Sequence, residues 1–397
     1  MEKIIISDST LRDGEQAPDA GMTFEQKIKL GKALMDLGVD VLDVGLTQTS
    51  QMDAQVVNQL SKMASESNTI ISALSRCCKQ DIDSSVKALQ PAIQCGKGRL
   101  HLFIATSPKH IETKLKKTKS EILKMIQENI RYAKKFTPDV QWSAEDATRS
   151  DMDFLIQCAQ TAIDAGATTI SFADTVGQMV DTQMQEFCET AISHLKYPSG
   201  TIFSVHCHND KGVATANSLF AIKGGVRQVE CCMNGLGERA GNAALEEIVM
   251  AILTTPERYP FTTQIDPKKI LPVSKMVEEF SGFLIPKNKA IIGKNAFLHA
   301  SGIHQDGIIK AEKEGIKIMY SSIDPEILGC KNDIVITRHS GTKGVISVFE
   351  KQGIDLTLKE AEFILNKVKQ QTNHPKSFTT KELMKLHQEY NAEHKNS

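Results

Sequence analysis

The hydrophobic positions of the chain follow two alternating rhythms. Short runs rich in β-branched residues occur at Ile4 to Ser9, Val39 to Gly45, Thr69 to Leu74, Leu100 to Ala105, Val140 to Ala144, Thr168 to Asp174, Ile202 to His208 and Val229 to Asn234. Between them lie longer amphipathic stretches such as Thr23 to Leu37, Lys119 to Lys135, Asp151 to Ala165 and Gln183 to Leu195. This is the pattern of repeated βα units. Asp36-Leu37-Gly38-Val39 and Asp164-Ala165-Gly166-Ala167 end a helix on glycine and lead into the next strand, as parallel neighbours require. Eight units predict a closed (β/α)8 barrel. The rival is a doubly wound open sheet, which needs fewer strands and often carries a glycine-rich phosphate loop after the first, and none follows Ser9.

In such a barrel the chemistry gathers where the strands end, because the βα loops converge there. Asp8, Arg12, Asp13, Arg76, Thr106, Ser107, Glu145, Asp146, Asp174, Thr175, His206, His208 and Asn234 all interrupt or follow the strand runs, and one mouth is expected to collect them. After Leu253 the rhythm stops, and Thr254-Thr255-Pro256 breaks the last helix. The expected organisation is therefore a barrel over residues 1–268 and a helical C-terminal region over 269–397. That region contains helical candidates at Pro267 to Phe283, Gly344 to Gln352 and Leu358 to Gln371, a Gly- and His-containing stretch from Gly293 to Gly307, and a polar, frayed tail from Asn391 to Ser397.

Composition narrows the function class. The 397 residues are 41% hydrophobic, enough for a large core, and the net charge of -1 offers no global attraction for nucleic acid or an anionic membrane. The N-terminal run meets charge after three apolar residues, so a signal peptide is not expected, nor is a span of roughly 20 apolar residues found. Nine cysteines without a C-x-x-C motif suit reduced thiols in a soluble cytoplasmic protein.

Three clusters carry candidate chemistry. His206-Cys207-His208 places two imidazoles on one strand face, and its position at the end of the seventh strand lifts it above an ordinary H-x-H pair. Asp13, at the exit of the first strand, adds a carboxylate. Two imidazoles and a carboxylate leave positions on an octahedral ion for water and a chelating substrate. Arg12 beside it can stabilise a developing oxyanion, while Glu15 and Asp19 are read equally well as helix-capping acids. Asn234-Gly235-Leu236-Gly237-Glu238-Arg239-Ala240-Gly241-Asn242 follows the eighth strand, where it is either an anion-binding loop or a plain glycine turn. Glu145 and Asp174 are substrate-orienting, proton-moving or salt-bridged structural acids.

Together, the runs D-S-T-L-R-D-G-E-Q at residues 8 to 16, H-C-H-N-D at 206 to 210, N-G-L-G-E-R-A-G-N at 234 to 242 and S-G-I-H-Q-D-G at 301 to 307 resemble the 2-isopropylmalate synthases. The wider group of acyl-CoA-condensing metallolyases also includes homocitrate and citramalate synthases and related lyases. The resemblance implies metal ligands at Asp13, His206 and His208, with Asn242 as a ligand or close neighbour. It also implies Arg12 polarising a 2-oxo acid, and His101, Ser143, Glu145 and Thr175 around that acid, with Asn234, Gly235 and Gly237 as substrate-binding candidates. His304 is implied to reach the active site of a partner subunit, in a homodimer with an exchanged C-terminal part.

The implied reaction is a metal-dependent (Mn, Mg, Co or Zn) Claisen-type condensation of acetyl-CoA with 3-methyl-2-oxobutanoate followed by thioester hydrolysis, a step of leucine biosynthesis. His304 with a water and Glu145 are the candidate bases. The alternatives are a sister synthase using 2-oxoglutarate or pyruvate, and a lyase cleaving a carbon–carbon bond in the same site. Asp43 stands where the synthases usually have Glu, Leu46-Thr47 replaces a Phe-Pro pair, and Ala173 replaces Pro, all of which alter the pocket rim. A chain ending at Ser397 is expected to lack the leucine-binding regulatory domain of many such synthases and to show weak or absent leucine feedback.

Overall fold

The computed structural model describes residues 1–371 and 377–394. It divides into two compact units, Met1–Ile285 and Pro286–Ser397. The first is a closed barrel of eight strands in sequence order: β1 (Ile5–Asp8), β2 (Val41–Asp43), β3 (Ile70–Arg76), β4 (Gly98–Ala105), β5 (Val140–Glu145), β6 (Thr169–Asp174), β7 (Ile202–Cys207) and β8 (Gln228–Cys231). Every strand is parallel to its neighbour. Closure is made by β1 on β8, in the register Ile5 to Gln228 through Asp8 to Cys231. Each predicted run overlaps one of these strands, with β3, β4, β5 and β8 extending one or two residues beyond it.

The intervening helices are α1 (Phe24–Leu37), α2 (Gln51–Met63), α3 (Lys79–Gln94), α4 (Lys119–Ala133), α5 (Met152–Asp164), α6 (Thr182–Ser193), α7 (Ala214–Lys223) and α8 (Leu245–Thr254). Their ends are set locally. Thr23 and Gln26 form a reciprocal capping box on α1, Thr118 and Glu121 form another on α4, and Asp151 caps α5 through the Phe154 amide. Gly38 ends α1 in the left-handed region at φ 99°, and a Cβ there would sit 2.6 Å from the carbonyl oxygen of Gln264. Gly38→Ala is therefore expected to cost about 1–3 kcal/mol through backbone strain. Urea denaturation of the variant beside the parent checks this, and an unchanged midpoint would refute it.

The expected boundary at residue 268 falls just ahead of α9 (Ile270–Ser281), which belongs to the first unit and packs against α1. At the end of the barrel opposite the mouth, Glu2–Lys3 pairs in parallel with Phe261–Thr262. The barrel is apolar on its outer strand faces, where Ile6, Leu42, Leu100, Trp142 and Val205 are buried toward the helices. Its axis is polar. Arg99, Gln141, Ser171, Ser204, Gln228 and Glu230 are all buried there and hydrogen-bonded to one another.

The second unit contains α10 (Gly302–Lys313), α11 (Thr342–Glu350), α12 (Leu358–Gln370) and α13 (Thr380–His394), with a short parallel pairing of Leu298–His299 on Asp333–Ile334. Its core is built from Ile336, Val345, Phe349, Ile364, Val368 and Leu383 among others. The frayed tail expected from Asn391 is corrected through His394, since α13 continues to that residue with Tyr390 stacked on His394. Residues 395–397 lie outside the described residues. No helix among the described residues is long and apolar enough to cross a membrane.

Candidate active site

Period-two geometry on β7 and the loop leaving β1 bring the expected ligands together. His206 lies one residue before Cys207, the end of β7, and His208 follows on the same face, so the two ring Nε2 atoms lie 3.2 Å apart. Asp13 Oδ2 is 3.6 Å from His206 Nε2. One ligand atom from each of the three, all buried, falls within 4.8 Å of the others, the spacing needed to grip one ion. Asn242 joins them, donating from Nδ2 to Asp13 Oδ1 at 2.7 Å, while its Oδ1 is buried with no hydrogen-bond partner. A buried, unsatisfied carbonyl oxygen beside a carboxylate and two imidazoles suits a cation.

The electrostatics favour the ligating forms. Burial alone would push Asp13 up, but Arg12 and the two imidazoles hold it well below the usual carboxylate range. Burial, reinforced by the facing His208, lowers His206 to about 3, and burial lowers His208 as well. At neutral pH the group therefore offers one carboxylate and two neutral rings, with no proton to displace.

Arg12 is fixed between two carboxylates, donating from Nη1 to Asp13 Oδ2 at 2.6 Å and from Nε to Asp43 Oδ2 at 2.9 Å. Burial raises Asp43 to about 6 against the pull of Arg12. The shorter acid at position 43 thus still anchors the guanidinium. Its Oδ2 lies 3.9 Å from Nδ1 of His101, whose Nε2 pairs with Ser143 Oγ at 2.5 Å. Burial, aided by Arg12 and Arg99, keeps His101 neutral, well below its ordinary value.

A cavity of about 210 Å³ opens over these groups, lined by Arg12, Asp13, His101, Ser143, Glu145, Thr175, His206, His208, Glu230 and Glu238 on its polar side and by Leu46, Leu74, Phe103 and Ala173 on its apolar side. Glu145 is held at the rim by Lys114 Nζ at 2.6 Å, which a single π-helical turn, Ile111–Leu115, delivers from the loop after β4. Thr175 Oγ1 accepts from the Asp146 amide at 2.9 Å, so it shapes the neighbouring loop as well as lining the cavity.

Not every polar residue at the strand ends opens onto this space. Arg76 turns outward onto Asp81, Asp174 accepts from Thr148, Gln178 and Met179 to cap its own loop, and Asp8 folds back on Thr10. Asn234 exchanges two hydrogen bonds with Ser274 on α9. The glycines of its loop allow close backbone packing: a Cβ on Gly241 would meet the Gly235 carbonyl at 2.1 Å, and one on Gly237 would meet Asn242 Nδ2 at 2.2 Å. Gly237→Ala is thus expected to dislodge the Asn242 amide and weaken divalent-ion affinity about 10–100-fold, as loss of an outer partner does. Calorimetric titration against the parent measures this, and equal affinities would refute it.

His304 lies on α10 in the second unit, exposed and stacked on Tyr320 with ring centroids 4.3 Å apart. Sequence reasoning passed over two residues of the first unit. Glu230 is a buried acid on β8, while Asp43, noted as a change at the pocket rim, grips Arg12. Lys27 is a fully buried lysine on α1 paired with Glu15 and with Asp53 at 2.8 Å, bracing the loop that carries Asp13. A charged residue inside a strand or on the apolar face of a helix was the available signal.

The family model described as HMGL-like matches residues 3–277, and that described as homocitrate synthase post-HMGL domain-like matches residues 291–376. The chain is 42% identical over 370 residues to the 2-isopropylmalate synthase of Rhodopseudomonas palustris strain CGA009, covering 93% of this chain and 69% of that protein. It is 42% identical to the 2-isopropylmalate synthase of Methylacidiphilum infernorum, covering 93% of this chain and 71% of that protein. Among solved structures, an HMG-CoA lyase from Acinetobacter baumannii in complex with coenzyme A and 3-methylmalate superimposes with a TM-score of 0.60 at 18% identity, covering 75% of this chain and 97% of that one. The hydroxymethylglutaryl-CoA lyase of Pseudomonas aeruginosa gives 0.58 at 17% identity, covering 72% and 95%. At those identities the likeness concerns the barrel fold alone.

Proposed function

Because this chain belongs to the 2-isopropylmalate synthase family within the HMGL-like proteins, we propose that it condenses acetyl-CoA with 3-methyl-2-oxobutanoate to give 2-isopropylmalate and free coenzyme A. The observation that carries the reading is the convergence of Asp13, His206 and His208 within 4.8 Å, directly beside a guanidinium and beneath a half-apolar cavity.

Asp13, His206 and His208 would hold a divalent cation (Mn, Mg, Co or Zn), with Asn242 Oδ1 as the adjoining oxygen. When bound, that cation supplies Lewis acidity toward the ketone and carboxylate oxygens of the oxo acid. Arg12, already locked by Asp13 and Asp43, presents its guanidinium to the ketone oxygen as negative charge develops there. His101, Ser143 and Thr175 offer polar contacts to the acid, while Leu46, Leu74, Phe103 and Ala173 form the wall that receives its branched carbons.

The methyl group of acetyl-CoA gives up a proton to a base, its carbon bonds to the ketone carbon, and the ketone oxygen ends as a hydroxyl. Water then cleaves the thioester, releasing the thiol. Glu145 at the cavity rim is the base candidate of this unit, and His304 with a water is that of the second unit, acting in a partner subunit of a homodimer.

The test is a free-thiol assay with acetyl-CoA and a panel of 2-oxo acids, with and without chelator. The expected result is the highest kcat/KM for 3-methyl-2-oxobutanoate and thiol release that chelation abolishes. Preference for pyruvate or 2-oxoglutarate would move the chain to a sister synthase, and no acid-dependent thiol release would overturn the reading.

A further inference from the structure

Glu230 has no part in the ligand set just described, yet it is one of the most firmly held acids in the barrel. It sits on β8, buried, and a single oxygen, Oε1, accepts three hydrogen bonds: from Gln141 Nε2 at 2.7 Å, Ser171 Oγ at 2.6 Å and Ser204 Oγ at 2.8 Å. These donors come from β5, β6 and β7, so the carboxylate is fixed in position and rotation by three of the eight strands. Gln141 and Ser204 are themselves held by Gln228, and Arg99 donates to both Gln141 and Gln228. The other oxygen, Oε2, is left for His206, whose Nδ1 lies 3.6 Å away, buried and without a hydrogen-bond partner.

We propose that Glu230 is a positioning residue for His206: its fixed Oε2 accepts the Nδ1 proton and so keeps the Nε2 lone pair, which faces Asp13 and His208, free to bind a cation. A neutral imidazole carries its proton on one nitrogen only, and the partner of that nitrogen decides which one remains available as a ligand. At 3.6 Å the contact is an ion-pair distance and not a formed hydrogen bond, and Nδ1 has no other partner. This inference rests on the metal-site reading above and adds to it the group that selects the tautomer.

The orientation of Glu230 makes one isosteric change informative. In Glu230→Gln, the three donors from Gln141, Ser171 and Ser204 hold the new amide oxygen where Oε1 was, which puts the amide NH2 toward His206 Nδ1. That NH2 donates where the carboxylate accepted, and the ring moves its proton to Nε2, where it blocks ligation. The change removes a buried negative charge and no volume, so the metal-free barrel is expected to melt no lower than the parent.

The experiment uses the full-length protein and Co²⁺ alone as probe, titrated by calorimetry and by its visible absorption. The tautomer of His206 is read from imidazole ¹⁵N shifts in the metal-free protein. Glu230→Gln is expected to weaken Co²⁺ affinity about 10–100-fold and to shift His206 from the Nδ1–H to the Nε2–H form. In Glu230→Ala, added formate is expected to restore part of the lost affinity by refilling the carboxylate position, which a purely structural role would not allow. Co²⁺ affinity within twofold of the parent in Glu230→Gln, an unchanged tautomer, or no response of Glu230→Ala to formate would overturn the inference. Failure of the parent to bind Co²⁺ would instead overturn the metal-site reading itself.

Discussion

Arg12→Lys is expected to lower kcat about 10²–10³-fold, the cost of losing one well-aimed donor to a developing oxyanion, while weakening divalent-ion affinity by no more than about 10–100-fold, the scale of losing a group that orients a ligand. The geometry explains the asymmetry. The guanidinium satisfies two carboxylates at once, Nε on Asp43 and Nη1 on Asp13, and still has N–H groups to present toward the cavity. An ammonium is a compact charge on a flexible stem and cannot reproduce that fork. It does preserve the positive charge that keeps Asp13 ionised, so the ligand set survives. Arg12→Gln goes further, leaving Asp43 and Asp13 without their cation at a cost of about 3–5 kcal/mol. Steady-state kinetics beside calorimetry separate the two effects, and an Arg12→Lys enzyme within threefold of the parent in kcat would show that Arg12 does not act on the ketone oxygen.

The second large effect is removal of the ion. Chelation, or Asp13→Asn, is expected to reduce kcat/KM by roughly 10³-fold or more, because Lewis-acid stabilisation is worth several kcal/mol and each 1.36 kcal/mol is a factor of ten. Stability should follow in the same direction. Around the ligand group the single guanidinium of Arg12 faces three buried carboxylates, Asp13, Asp43 and Glu230, an excess of negative charge that a divalent cation balances. Adding the ion at a hundred times its Kd should therefore stabilise the fold by about 2.7 kcal/mol. Differential scanning calorimetry of stripped and reloaded parent protein tests this, with Asp13→Asn as the variant whose melting point should no longer respond. A chelated enzyme with full activity would contradict the assignment.

Much of this architecture was legible in the chain because the barrel writes itself locally. The strands are brief runs rich in β-branched residues, and several helices carry their own start signal, as in Thr23, Thr118 and Asp151, or a stop signal, as in Gly38 and Gly166. The residues of the proposed ion site were brought together for the same reason: His206 and His208 share a strand face, and Asp13 leaves the first strand by the same rim. Less local features escaped. The partners of Glu230 are 26, 59 and 89 residues away in sequence, so an acid inside a strand was visible there but what it touches was not. Lys27 looks like an ordinary surface lysine until Asp53, 26 residues on, is seen against it. The glycines at 235, 237 and 241 suggested an anion loop because glycine permits close approach in general. Here the approaching groups come from the same loop, Asn242 and the Gly235 carbonyl. Helix α13 was missed because few of its apolar positions, chiefly Leu383 and Leu386, are buried.

The pairing of β1 with β8 has a consequence for how the protein is made. Ile5 through Asp8 find their final partners only at Gln228 through Cys231, so during synthesis the leading strand must wait, one edge bare, until more than half of the polypeptide has emerged from the ribosome. A growing sheet in that state is a template for any other exposed strand, in the same molecule or a neighbouring one. Slowed elongation beyond the seventh strand should therefore increase aggregation of nascent chains, and a permuted gene whose ends lie elsewhere in the ring would give that vulnerability to a different pair of strands.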